Sequence, residues 1–95
     1  MTPFPRAGVP GIIFAMSPTV FREGGFRFYF FSREESRLHV HVQGQSGEAK
    51  FWLEPVALAK NVGFSAAELS RVEKLVWTHE TRLREAWNEF FGNPG

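Results

Sequence analysis

Apolar and polar positions change rhythm twice along the chain. Thr19-Val20-Phe21-Arg22 begins the regular part and predicts a short strand. Glu23-Gly24-Gly25 follows, and glycines there supply the positive φ angles of a tight hairpin. Phe26 to Ser32 predicts a second strand, since five of its seven residues are aromatic. The charged segment Arg33–Arg37 breaks the pattern as a turn. Leu38-His39-Val40-His41-Val42-Gln43 then alternates apolar with polar, as a half-buried strand does. Gly44-Gln45-Ser46-Gly47 has turn composition. Glu48 to Leu53 predicts a fourth strand with Ala49, Phe51 and Leu53 on one side and Glu48, Lys50 and Trp52 on the other.

After Glu54-Pro55 the period becomes helical. Pro55 suits the first turn of a helix, so Val56 to Asn61 is expected to form a short helix that stops near Gly63. Ser65-Ala66-Ala67-Glu68 spells a capping box, with Phe64 and Leu69 placed as a hydrophobic staple. A long helix is expected from Ala66 to about Phe90. Its apolar seam runs through Leu69, Val72, Val76, His79, Leu83, Ala86 and Phe90 at steps of three and four. Gly92-Asn93-Pro94-Gly95 closes it. The expected fold is α+β: an antiparallel four-stranded meander with one short and one long C-terminal helix packed on one face, over residues 16–92. Residues 1–15 carry three of the six prolines and one charge, and are expected to be a flexible N-terminal extension, with Met16 as an alternative start.

Composition narrows the class. The 95 residues are 43% hydrophobic and 16% aromatic, with eleven Phe and three Trp, which excludes intrinsic disorder. No apolar run approaches the roughly 20 residues of a membrane span. With no cysteine there is no disulfide frame, Cys-based zinc site or thiol chemistry, and a cytoplasmic location is expected. A net charge of +1 announces no nucleic-acid partner by itself. All ten acids are glutamates, which makes a carboxylate site for a hard metal a poor fit, and no metal or cofactor is expected.

The strongest chemical feature is His39 and His41. Two apart on a strand, they project from one face, opposite Leu38, Val40 and Val42. Imidazoles titrate near neutrality, so His39 and His41, with Lys50, are the candidate catalytic residues of an acid–base reaction. The same face is expected to gather Arg27, Tyr29, His39, His41, Lys50 and Trp52 into a solvent-facing binding surface, together with Phe31. Such a mixture of rings and cations suits a protein partner or unpaired nucleic acid. His79, Trp77 and Trp87 are expected to serve packing. The helix charges alternate in sign and form a solvated face.

Three stretches carry a family resemblance: Thr19-Val20-Phe21-Arg22-Glu23-Gly24-Gly25-Phe26-Arg27-Phe28, His39-Val40-His41-Val42, and Glu48-Ala49-Lys50-Phe51-Trp52-Leu53-Glu54-Pro55. With Leu58-Ala59-Lys60-Asn61-Val62-Gly63-Phe64-Ser65 and Ala86-Trp87-Asn88-Glu89-Phe90, the chain resembles the bacterial domain-of-unknown-function family 4160 from Met16 to Phe91. That family usually carries Pro-Pro before its His-Val-His, where this chain has Arg37-Leu38. The resemblance implies no established activity. Its members often stand beside genes of another uncharacterised family, 2442, in arrangements like toxin–antitoxin pairs. It therefore implies a toxin-like component whose partner is a small cognate protein, acting as a binding domain. The alternative is a small ribonuclease-like enzyme using His39 and His41 as acid and base, with Lys50 or Arg27 against phosphate charge.

Overall fold

A computed structural model describes residues 18–31 and 37–92. The extension over residues 1–15, most of the predicted Arg33–Arg37 turn and the closing Asn93-Pro94-Gly95 lie outside the described residues. The chain runs β1 (Thr19–Glu23), β2 (Phe26–Tyr29), β3 (His39–Gln43), β4 (Glu48–Leu53), β5 (Val56–Val62), α1 (Ala66–Thr78) and α2 (Glu80–Phe91). The strands form one antiparallel meander in the order β1-β2-β3-β4-β5. The class is α+β, as the alternation predicts, but among the described residues the sheet has five strands, followed by two helices of similar length.

The segment Val56–Asn61, expected as a short helix, belongs to β5. Glu54 and Pro55, joined by a cis peptide, make a tight turn that folds the chain back onto β4. β5 then pairs along all of β4, from Leu53↔Val56 to Glu48↔Val62, with a bulge between Lys50 and Phe51. Those ladder bonds satisfy one edge of β4, a gain no local propensity of Val-Ala-Leu-Ala-Lys-Asn-Val can announce. The expected long helix is interrupted at His79, whose φ of −107° and ψ of 19° end α1 and start α2. Three contacts hold the break, one within α1 and two to β1. Thr78 Oγ1 donates to the Lys74 carbonyl at 2.8 Å, a back-bond that bends helices. The His79 ring packs on Phe21 at 4.5 Å and its Nε2 pairs with Glu23 Oε1 at 2.8 Å, tying the junction to β1.

The expected register holds. Phe21, Phe28, Val42 and Ala49 stand in one cross-strand row, Val40 and Phe51 in the next, and all six are buried. Val72 and Val76 of α1 and Leu83 of α2 close this face with no exposed surface. Beyond the break the seam shifts, so Trp87 is buried while Phe90 is partly exposed, and Trp77 faces solvent rather than packing. The β1–β2 turn is the anticipated glycine hairpin, with φ of +63° at Gly24 and +84° at Gly25.

The capping box forms in full. Glu68 N–H donates to Ser65 Oγ at 3.1 Å, and Ser65 N–H donates to Glu68 Oε1 at 2.9 Å. Ser46 Oγ donates to Glu68 Oε2 at 2.6 Å, so the same carboxylate also ties α1 to the β3–β4 turn. The Ser46 hydroxyl, and next the Ser65 N–H, stabilise the charged form and hold this carboxyl below its ordinary range. Phe64, just before the cap, is buried edge-on against Phe26. Among the described residues no helix is long and apolar enough to cross a membrane.

Candidate binding face

The sheet face away from α1 and the core is organised in cross-strand rows, because partnered residues of a ladder point the same way. One row reads Arg22, Arg27, Gln43, Glu48, Val62 from β1 to β5. The next reads Tyr29, His41, Lys50, Lys60 from β2 to β5. The third places His39 beside Trp52 and Trp52 beside Ala57. Every residue expected on the binding face is therefore brought together there: Arg27, Tyr29, His39, His41, Lys50 and Trp52.

Cations lie on rings across this face. The Arg27 guanidinium is 4.3 Å from the Tyr29 ring centre. Its Nε donates to Thr19 Oγ1 at 2.6 Å and its Nη1 to Gln43 Oε1 at 3.4 Å, which fixes the head group along β1–β3. Trp52 carries two cations, Arg37 at 3.9 Å and the Lys50 ammonium at 4.6 Å. Contacts of this kind contribute about 0.5–1 kcal/mol each where water reaches them. Tyr29 is buried and stacks on His41 at 5.3 Å. Phe31, 40% exposed, meets His41 edge-on at 4.7 Å. A shallow depression of about 360 Å³ opens beside these groups, lined by Phe31, His41, Glu48, Lys50, Lys60 and Val62.

The two histidines differ in a way strand alternation cannot show. His41 is half-buried, whereas His39, expected to face solvent, is 0% exposed. The α2 residue Trp87 reaches it at 5.0 Å, and Trp52 and His41 stand edge-on at 6.0 and 5.1 Å. Its Nδ1–H donates to the Arg37 carbonyl at 2.6 Å, an acceptor that fixes a proton on that nitrogen. The helix end thus encloses one imidazole and leaves the other at the surface.

Sequence reasoning misses three cations. Lys60 falls inside an expected helix, whereas the ladder sets it directly beside Lys50. Arg37 falls in an expected turn. Arg22 is expected on a strand, and only the ladder puts it on this face, where it partners Arg27. Reading Val56–Val62 as a strand is the signal that finds Lys60; nothing local points to Arg37.

The family described as Domain of unknown function (DUF4160) matches residues 25–88, from the β1–β2 turn into α2 and over more than half of the chain. No curated protein and no solved structure matches it.

Proposed function

We propose that this protein, which belongs to the DUF4160 family, is the toxin-like component of a bacterial toxin–antitoxin-type pair, and that it acts as a binding module. Its outer sheet face, carried by Arg27, Tyr29, His41, Lys50 and Trp52, docks a small cognate protein. The observation that carries this reading is the set of cations fixed on rings. Arg27 on Tyr29, and Arg37 with Lys50 on Trp52, are held in place before a partner arrives. Ordered aromatic and arginine groups lose little freedom on binding, which is why such residues dominate interface energies.

The ribonuclease-like alternative needs both His39 and His41 at a substrate. His39 has no exposed surface and donates its Nδ1–H into the chain, while His41 reaches the depression. Enclosure of one member of the pair favours binding over acid–base exchange at that position. His39 then supports the face by filling the space beneath Trp52 and His41.

The test joins the purified protein to the protein encoded beside it and adds an RNA-cleavage assay. Binding by calorimetry is expected for the parent and a sharp loss for Arg37→Glu/Lys50→Glu, which keeps the core intact. Undiminished binding by that variant would refute the assignment of the face. RNA cleavage that disappears in His41→Gln would transfer the reading to the enzyme.

A further inference from the structure

We infer that the β5 edge of the sheet is guarded against pairing with a second copy of this chain, and that two local features do this: the bulge at Ala59 and the side chain of Lys60. The inference stands apart from the docking reading above, since it concerns an edge of the sheet and not its outer face. Among the described residues β5 is the last strand, so one side of its backbone carries N–H and C=O groups that no neighbouring strand meets. Such an edge is a template for another strand.

The two edges of the sheet are not equally open. β1 has α2 alongside it: His79 is bonded to Glu23, the Arg82 guanidinium lies 4.8 Å from the Phe21 ring centre, and Val20 shares a recess with Ala86 and Phe90. β5, at seven residues, is the longest strand described, and every residue from Leu58 to Val62 is exposed. Leu58 is 44% and Val62 58% exposed, one beside Phe51 on the core side and one beside Glu48 on the outer side. Apolar surface therefore borders this edge on both faces. Val56-Ala57-Leu58-Ala59-Lys60-Asn61-Val62 also holds no proline and a single charge, as segments that stack as strands do.

The first guard is geometric. Lys50 partners Lys60 and Phe51 partners Leu58, which leaves Ala59 with no partner on β4. An extra residue of this kind bends the strand and raises its twist. It also breaks the period of two. Leu58 beside Phe51 and Asn61 beside Ala49 share the core side although they stand an odd number of positions apart. A second copy approaching the free side meets a strand whose faces change midway, and finds no unbroken period-two ladder.

The second guard is charge. Lysine is depleted in strands, yet it is a common device on edges that must stay single. A straightened β5 could pair antiparallel with its copy about residue 60, with Leu58 against Asn61 and Ala57 against Val62 of the second copy. That register sets two Lys60 side chains directly opposite each other, and like charges so placed weaken a pair. The bulge disrupts the ladder and the charge opposes the register that straightening would open.

The test compares the full parent chain with Lys60→Thr, with a deletion of Ala59, and with both changes combined, by sedimentation at rising concentration. Threonine suits a strand and carries no charge. The parent should sediment as one copy throughout and the combined variant at twice that mass, with Lys60→Thr associating more weakly. In the dimer, the backbone amides of Val56–Val62 should exchange more slowly than in the parent. A folded combined variant that keeps the mass of one copy overturns the inference. So does a parent that already pairs through β5, or a variant dimer whose slowed amides lie elsewhere. Circular dichroism reports whether the deletion folds. Where it does not, Lys60→Thr decides alone: self-association that grows with concentration supports the guard, and its absence overturns it.

Discussion

Gly47 offers the sharpest test of how the sheet and helices are joined. It ends the β3–β4 turn, where its carbonyl accepts a hydrogen bond from Gly44 N–H at 2.9 Å. A methyl group added there would sit 2.5 Å from the Phe64 nitrogen, 2.6 Å from the Val62 oxygen and 2.8 Å from the Gly63 carbonyl carbon. All three are backbone atoms of the β5–α1 connection, so no side-chain rotation relieves the overlap. Inserting a methyl group into a packed site commonly costs about 1–3 kcal/mol. With only backbone to move, Gly47→Ala belongs at the upper end, about 3 kcal/mol. A domain of this size loses roughly 4–8 °C of melting temperature per kcal/mol, so the midpoint should fall by roughly 12–24 °C. Gly25→Ala is the reference. Its added carbon meets nothing within 4 Å, and only the φ of +84° opposes it, at about 1–2 kcal/mol. Thermal and urea melts followed by circular dichroism compare the two. If Gly47→Ala melts with the parent, or above Gly25→Ala, the turn does not pack on the β5–α1 connection and the placement of β5 is wrong.

Further outcomes follow from the caps and the histidines. Ser65→Ala removes the acceptor for Glu68 N–H and should cost about 1 kcal/mol in urea denaturation; an unmoved midpoint would mean α1 starts elsewhere. The Glu68 carboxyl is held below its ordinary value near 4.5 in the folded state, so its contribution is present above that value and is lost as pH falls through the folded one. Acid titration of Glu68→Gln should lack that part of the loss, and parallel curves for parent and variant would dismiss the link from Ser46 to α1. His39→Ala should destabilise by about 2 kcal/mol or more, because it empties an enclosed site beneath Trp52 and Trp87. His41→Gln should shift stability far less; equal losses for the two would show that the enclosure of His39 is not real.

What the sequence determined by itself was whatever depends on neighbours in the chain. The alternation of Leu38 to Gln43 and of Glu48 to Leu53 set the strands and their faces, because a period of two leaves one way to bury Val40, Val42 and Phe51. The paired glycines located the first hairpin, and Ser65 with Glu68 located the start of α1. The candidate face was legible for the same reason, since Arg27, Tyr29, His41, Lys50 and Trp52 follow from those strands and their pairing. The tertiary structure decided the rest. Val56–Val62 has a composition that suits a helix, and β4 made it a strand by offering a full ladder of backbone partners. That pairing put Lys60 beside Lys50. The seam of the expected long helix continues smoothly through His79, and the contacts to Phe21 and Glu23 broke it there. The break re-aimed α2 so that Trp87, not Phe90, entered the core and closed over His39. Two histidines equivalent by alternation thus became one enclosed and one accessible. That difference arises from a residue 48 positions away from His39, beyond the reach of any local pattern.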